Sequence, residues 1–366
     1  MSSAEARVVP EAHVPLAPLS TLGVGGAARW LLRVADAREI AAAHRWSQDR
    51  GAPMFVLGGG SNLVVSDAGF DGLVVQMQIA GVQMASDDGD TLVTAAAGEP
   101  WDLLVRTTVE RGLAGLECLS GIPGSVGGTP IQNVGAYGQE VADTIERVVV
   151  YDRGSGELRA MSAGDCRFSY RMSRFKGQDA DRFIVCDVTF RLRSRPPSPT
   201  YPDVLAELER TVSGPATVRD VRDAVLAVRR RKGMVIDRAD PDTRSVGSFF
   251  MNPIVSRADR EGVASAAGCA VPGFDMPDGQ VKLPAAWLIE RAGFQRGEVD
   301  GAAGISSKHT LALVNRGGAT ARDVLRLAAR IKRSVAERFG LFLRPEPVFV
   351  GFQGDPDVKY LRMTER

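Results

Sequence analysis

Residues 120–138, SGIPGSVGGTPIQNVGAYG, constrain this chain more than any other stretch. The segment is rich in glycine, holds two prolines and has no charged side chain. Small side chains let the backbone approach a ligand closely, and glycine permits positive φ where other residues clash. An uncharged run can also be a core loop, but a buried loop must satisfy every N–H and C=O. A large cofactor meets that need, because successive N–H groups in a turn form an anion-binding nest. On the residues alone, a ligand loop and a structural turn both stay open.

The chain has 366 residues, room for two or three domains. Hydrophobic residues at 44% and charged residues at 24% describe an ordinary globular protein. A net charge of +1 gives no support to a nucleic-acid partner. Apolar runs such as 91–97 are too short to span a bilayer, and the first residues lack the apolar core of a signal peptide. A cytoplasmic protein without membrane insertion is therefore expected. Four widely spaced cysteines without a CxxC read as reduced, buried residues. Three histidines (His13, His44 and His309) disfavour a His-rich metal site, and no metal is expected.

Residues 1–19 read as an extended arm. Gly23, Gly25 and Ala28 spell G-x-G-x-x-A, but prolines precede them and a strand-like 29–34 follows, the reverse of a dinucleotide fingerprint. Periodicity and capping residues predict helices at 36–50 (Asp36 as N-cap), 101–111, 204–209, 217–232, 257–267, 283–292 and 320–339. Strands are expected at 53–57, 64–65, 73–77, 91–97, 147–152, 183–191, 309–315 and 343–351. Gly58–Leu63 (GGGSNL) is either a tight hairpin turn or backbone wrapped on a phosphate. The basic run 229–232 reads as a solvated helix end, and the proline-rich 193–202 as a loop or boundary. P-loop, HExxH, EF-hand and GxSxG patterns are missing. What remains is two glycine cradles, which suit a dinucleotide such as FAD with a pyrophosphate and a ring that need different walls.

Six segments taken in order, LGGGSN (57–62), the 120–138 stretch, SYR (169–171), GSFFMNP (247–253), KLPAAWLIERAG (282–293) and RPEPV (344–348), carry a resemblance. The chain resembles the UDP-N-acetylenolpyruvoylglucosamine reductase family, in the form with an extra tyrosine loop, over nearly its whole length. The resemblance implies an α+β fold. Two lobes, 1–80 (with 346–366 returning to it) and 81–194, would form an FAD-binding module of the vanillyl-alcohol-oxidase type. A connection at 195–233 would carry the tyrosine loop, and 234–345 a C-terminal α+β substrate domain.

It also implies a chemistry. NADPH reduces FAD, and a UDP-N-acetylglucosamine enolpyruvyl ether then enters the same cleft. Hydride from flavin N5 adds to the enolpyruvyl carbon distal to the carboxylate, giving UDP-N-acetylmuramate for peptidoglycan synthesis. Ser248 matches the family's proton donor; a rigidly placed hydroxyl can protonate a strongly basic carbon. Arg171 matches an arginine whose planar fork holds the carboxylate and stabilises the enolate. Glu346 matches a glutamate that acts beside it as an acid or through a water. For the cofactor, the matching positions are Thr21, Gly58, Gly59, Gly60, Ser61, Asn62 and Leu63 in the first cradle. In the second they are Gly121, Ile122, Pro123, Gly124, Ser125, Gly128, Gln132, Asn133, Gly135, Ala136 and Tyr137. For the substrate they are Tyr170, Tyr201, Lys232, Asn252, Arg296 and His309, with the Tyr201 loop closing on the diphosphate.

Two departures stand out. The loop from Lys232 to Ser248 is longer than in other members, and Pro347 argues against a fully paired central strand at Glu346. A monomer is expected. Two rival readings are an FAD oxidase on the same module, which uses O₂ and needs no Ser248, and a colourless nucleotide-sugar-binding protein.

Overall fold

The computed structural model describes residues 8–364. It divides into two compact units. The first takes Met1–Val14, Ala28–Gly60 and Asp71–Val235, and the second Pro15–Ala27, Ser61–Phe70 and Ile236–Arg366.

In the first unit, a four-stranded sheet runs in the order Glu11–Pro15, Ala27–Val34, Phe70–Met77, Met54–Leu57. Met54–Leu57 lies parallel to Phe70–Met77, with Met54 opposite Leu73. The helix Ala37–Asp49 starts where the sequence predicts, because Asp36 and Glu39 form a reciprocal capping box. Glu11–Pro15 corrects the expected arm: part of it is an edge strand, while residues 1–7 lie outside the described residues.

A five-stranded antiparallel sheet follows, in the order Glu157–Ser162, Ile145–Asp152, Phe183–Leu192, Asp90–Ala96, Val82–Asp87. Phe183–Leu192 is central and almost continuously buried, in keeping with seven apolar residues out of ten. Val82–Asp87 is an exposed edge with polar side chains, and its weak hydrophobic signal leaves it unreadable beforehand. Leu104, Val105 and Val109 of the helix Trp101–Glu110 join Val148, Val188 and Phe190 in one core. Two helices, Pro202–Thr211 and Val218–Arg231, complete the unit around Val204, Val221 and Val225.

The second unit holds a sheet in the order Ser245–Ser248, Ala312–Asn315, Ala303–Ile305, Val299–Asp300. The long helix Ala321–Phe339 packs Val324, Leu327, Ala328, Ile331 and Val335 into the core at helical spacing. Its ends are the expected ones: Thr320 and Asp323 form a capping box, and Gly340 closes it in the left-handed conformation.

One expectation fails here, and one element is new. The predicted strand 343–351 shrinks to Val348–Val350, which pairs in parallel with Leu63–Val65. Pro345 and Pro347 lack N–H groups and cannot extend the ladder. A C-terminal helix, Pro356–Arg362, was not read from the sequence; Asp355 caps it by accepting from the N–H groups of Asp357 and Val358. Among the described residues, no helix is long and apolar enough to cross a membrane. Cys118, Cys166 and Cys186 are buried free thiols, and burial pushes each up to about 12.

Candidate functional site

In the first unit the two glycine cradles meet. A Cβ on Gly59 would lie 2.6 Å from Gly124 Cα and 3.1 Å from the Ser125 nitrogen, and one on Gly58 would lie 2.6 Å from Ser125 Oγ. Only glycine allows that approach. The second cradle is sewn to its surroundings by main-chain bonds, Trp101 N–H to Gly124 O at 3.0 Å and Gly127 N–H to Ala97 O at 2.9 Å. Gly121 donates its N–H to Asp102 at 2.6 Å, and Asp102 holds the Arg222 guanidinium through two bonds of 2.7 and 2.8 Å. Burial of Asp102 works against its charge, but Arg222 and the Gly121 N–H outweigh it and hold the carboxyl below its usual range. Asp102 and Arg222 carry no signal readable beforehand, because an ion pair across 120 residues leaves no local pattern.

The same unit holds the cluster around Arg171. Its φ is +54°, a left-handed value that costs a non-glycine residue about 1–2 kcal/mol. Asn133 at +44° and Tyr137 at +51° share this conformation. The Arg171 guanidinium donates to Asn133 O at 3.3 Å and Gly135 O at 2.5 Å, fixing it against the second cradle. Asn133 is buried and its amide is engaged by Glu140, Ser169 O and the Ala142 N–H. Tyr170 lies beside Arg171, with the guanidinium carbon 5.5 Å from the ring centre.

Tyr201, Tyr137 and Lys232 come together as well. The two rings meet edge to face with centroids 5.2 Å apart, and Lys232 Nζ lies 5.9 Å from each centre. Burial raises the Tyr137 phenol. The expected solvated end of the basic run is corrected in part. Arg229 is buried and donates to Met234 O at 2.8 Å, Arg231 pairs with Glu207, and Lys232 pairs with Asp203.

In the second unit, Gly247 (φ +74°) precedes Ser248, and the buried Phe249 and Phe250 follow it. Ser248 lies opposite Ala312, and Phe249 N–H donates to Leu311 O at 2.8 Å. Glu346 N–H donates to Phe249 O at 2.9 Å, so the segments carrying the candidate serine and glutamate are joined through the main chain. Asn62 Nδ2 donates to Glu346 O at 3.3 Å, and Thr21 Oγ1 donates to Ser245 O at 2.7 Å. Thr21, Ser61, Asn62, Ser248 and Glu346 thus share one neighbourhood. Asn252 Oδ1 accepts from Ala285 N–H at 2.9 Å and caps the helix Ala285–Arg291. Arg296 is exposed and His309 half-buried. The long loop is tied down by acids: Asp242 accepts from the Ser307 N–H and hydroxyl, and Asp240 from Lys308.

Among the described residues no group of His, Cys, Asp and Glu could hold a metal ion. The residues do fit a dinucleotide. Ser125 Oγ is buried in the glycine cradle without a protein partner, and a bound ligand's acceptors would complete it. Comparison with known proteins agrees. Residues 28–162 match the family profile "FAD binding domain", and residues 240–350 match "UDP-N-acetylenolpyruvoylglucosamine reductase, C-terminal domain". The reductase of that name from Thermobifida fusca is 50% identical over 348 residues, 93% of this chain and 97% of that protein. The one from Streptomyces coelicolor is 49% identical over 354 residues, 94% of this chain and 91% of its own. The chain belongs to the UDP-N-acetylenolpyruvoylglucosamine reductase family. It is an FAD-dependent oxidoreductase of α+β fold, an FAD-binding module with a C-terminal α+β domain, as the sequence led one to expect. A crystal structure of the Thermus caldophilus reductase aligns with a TM-score of 0.64 at 28% identity, covering 94% of this chain and all of that one.

Proposed function

We propose that this reductase uses NADPH to reduce the enolpyruvyl ether of UDP-N-acetylglucosamine to UDP-N-acetylmuramate, a step of peptidoglycan precursor synthesis. FAD, when bound, supplies the hydride relay between the two substrates, which take turns in one cleft. Gly58, Gly59, Gly124 and Ser125 hold it through backbone approach and the unpartnered hydroxyl. Ser248 delivers the proton to the carbon next to the carboxylate. Its backbone is set by a left-handed glycine before it and two buried aromatics after it. Arg171 holds the substrate carboxylate and stabilises enolate charge. Glu346 assists at the enolate as an acid or through a water. Tyr201 and Lys232 bind the diphosphate, with Tyr170, Asn252, Arg296 and His309 as further substrate contacts. The protein works in the cytoplasm as a monomer.

The observation that carries this reading is the Glu346 N–H to Phe249 O bond of 2.9 Å, which holds the glutamate's segment one residue from Ser248. The test is anaerobic: the purified yellow protein is reduced with NADPH and then mixed with the enolpyruvyl substrate. Rapid reoxidation of the flavin is expected. Reduced flavin that persists with that substrate but reacts with O₂ points to an oxidase and rejects the reading.

A further inference from the structure

Lys232 Nζ donates to Asp203 Oδ2 at 2.7 Å. Lys232 is the C-cap of the helix Val218–Arg231, and Asp203 sits in the first turn of Pro202–Thr211, directly after the Tyr201 loop. A carboxylate there is favoured by the positive end of the helix. The loop itself rests on the second glycine cradle, since a Cβ on Gly138 (φ +86°) would lie 2.6 Å from Thr200 Oγ1. Three contacts therefore hold the loop: the ion pair, the Tyr137–Tyr201 edge contact and the approach of Thr200 to Gly138. Burial pulls the Lys232 ammonium down, but the Asp203 bond and charge, with the two phenols, outweigh it and raise it. The neighbouring cations are committed elsewhere, Arg231 to Glu207 and Arg229 to Met234 O. Lys232 is the cation that the Tyr201 loop brings its own anion to meet.

We propose that Asp203 is an internal stand-in for the substrate diphosphate: it occupies Lys232 and holds the Tyr201 loop in place until the nucleotide arrives and displaces it. The proposal rests on the reading that Tyr201 and Lys232 contact the diphosphate. The physical basis is competition between a carboxylate and a more highly charged oxyanion for one ammonium. Half of the Asp203 side chain is exposed, so water solvates it once it is released. The ion pair lowers apparent affinity by making Lys232 unavailable for part of the time. The cost falls only on ligands that use Lys232, so a ligand without phosphate is unaffected.

The experiment compares wild type with Asp203→Asn, which keeps side-chain shape and removes charge. Binding of UDP, of the enolpyruvyl substrate and of uridine is followed through the absorbance of oxidised flavin, with FAD content as the fold control. Asp203→Asn should bind UDP and the substrate about five- to tenfold more tightly, a modest change on the affinity scale. Uridine, which has no phosphate, should bind as it does to wild type. Adding Lys232→Met should abolish the gain. An unchanged or weakened UDP affinity in a normally flavinated Asp203→Asn protein overturns the proposal, and so does an equal gain for uridine. Wild type that binds neither UDP nor the substrate overturns the functional reading and the proposal with it, so the two failures are distinguishable.

Discussion

The main-chain N–H of Glu346 donates to the carbonyl oxygen of Phe249 at 2.9 Å. Glu346 stands between Pro345 and Pro347, so its N–H is the one main-chain donor of that tripeptide. Spending it on Phe249 ties the C-terminal segment to the residue after Ser248. Ser248→Ala should leave flavin reduction by NADPH intact and slow reoxidation by the enolpyruvyl substrate about 10²–10⁴-fold, the range for a lost general acid. Rapid mixing resolves the two steps. Equal loss in both would show Ser248 to be structural.

A methyl group at Gly59 should empty the cofactor site. The added carbon would meet Gly124 Cα at 2.6 Å and its carbonyl carbon at 2.8 Å, and backbone cannot rotate away. Gly59→Ala is expected to cost about 1–3 kcal/mol of overpacking and to yield a colourless or readily bleached protein. Gly262→Ala is the control, in the interior of the helix Arg257–Ala267 with nothing within 4 Å. It should stabilise by about 0.5–1 kcal/mol through helix propensity and keep its flavin. A Gly59→Ala protein as yellow as wild type would refute the close approach.

Asp242 should matter for stability more than Asp240. Asp242 is buried and accepts from both the N–H and the hydroxyl of Ser307, at 3.0 and 2.5 Å. Asp242→Ala removes two hydrogen bonds to a carboxylate and should lower unfolding free energy by about 1–3 kcal/mol. Asp240 pairs with the partly exposed Lys308, and Asp240→Asn should cost about 1 kcal/mol or less. Urea unfolding of the two variants gives the order, and a larger loss in Asp240→Asn would contradict it.

Lys332 introduces a pH dependence. Its side chain is fully buried, with Nζ donating to Leu361 O at 2.6 Å and Met363 O at 2.5 Å. Burial, with repulsion from Arg344, lowers the ammonium to about 8. The unfolded value is near 10.4, so between about pH 8 and 10.4 the unfolded chain binds more protons and stability rises with pH. Below pH 8 the penalty is fully present. Relative to Lys332→Met, wild type should gain on the order of 2 kcal/mol between pH 7.5 and 10. Equal pH dependence of the two proteins in urea unfolding would rule this out.

Local rules were legible because their causes lie within a few residues. Asp36, Thr217, Ser256 and Thr320 each open a helix through bonds spanning three positions. The glycine cradles and the ordered motifs around Ser248, Arg171 and Glu346 were visible for the same reason, since each motif is contiguous. The basic run 229–232 was misread because helix periodicity cannot tell a solvated arginine from one buried beside Gly121. The edge strand Val82–Asp87 and the helix Pro356–Arg362 were missed because neither carries a strong apolar period.

By itself the sequence determined that the chain is α+β, that two glycine-rich loops can accept a large cofactor, and which family it resembles. Only the tertiary structure decided that Gly59 touches Gly124, that Asp102 grips the Gly121 N–H, and that Asp203 rather than solvent meets Lys232. Periodicity and capping are local and can be written in a few consecutive residues. An ion pair or a backbone contact between distant segments depends on chain closure, which no short window of sequence encodes.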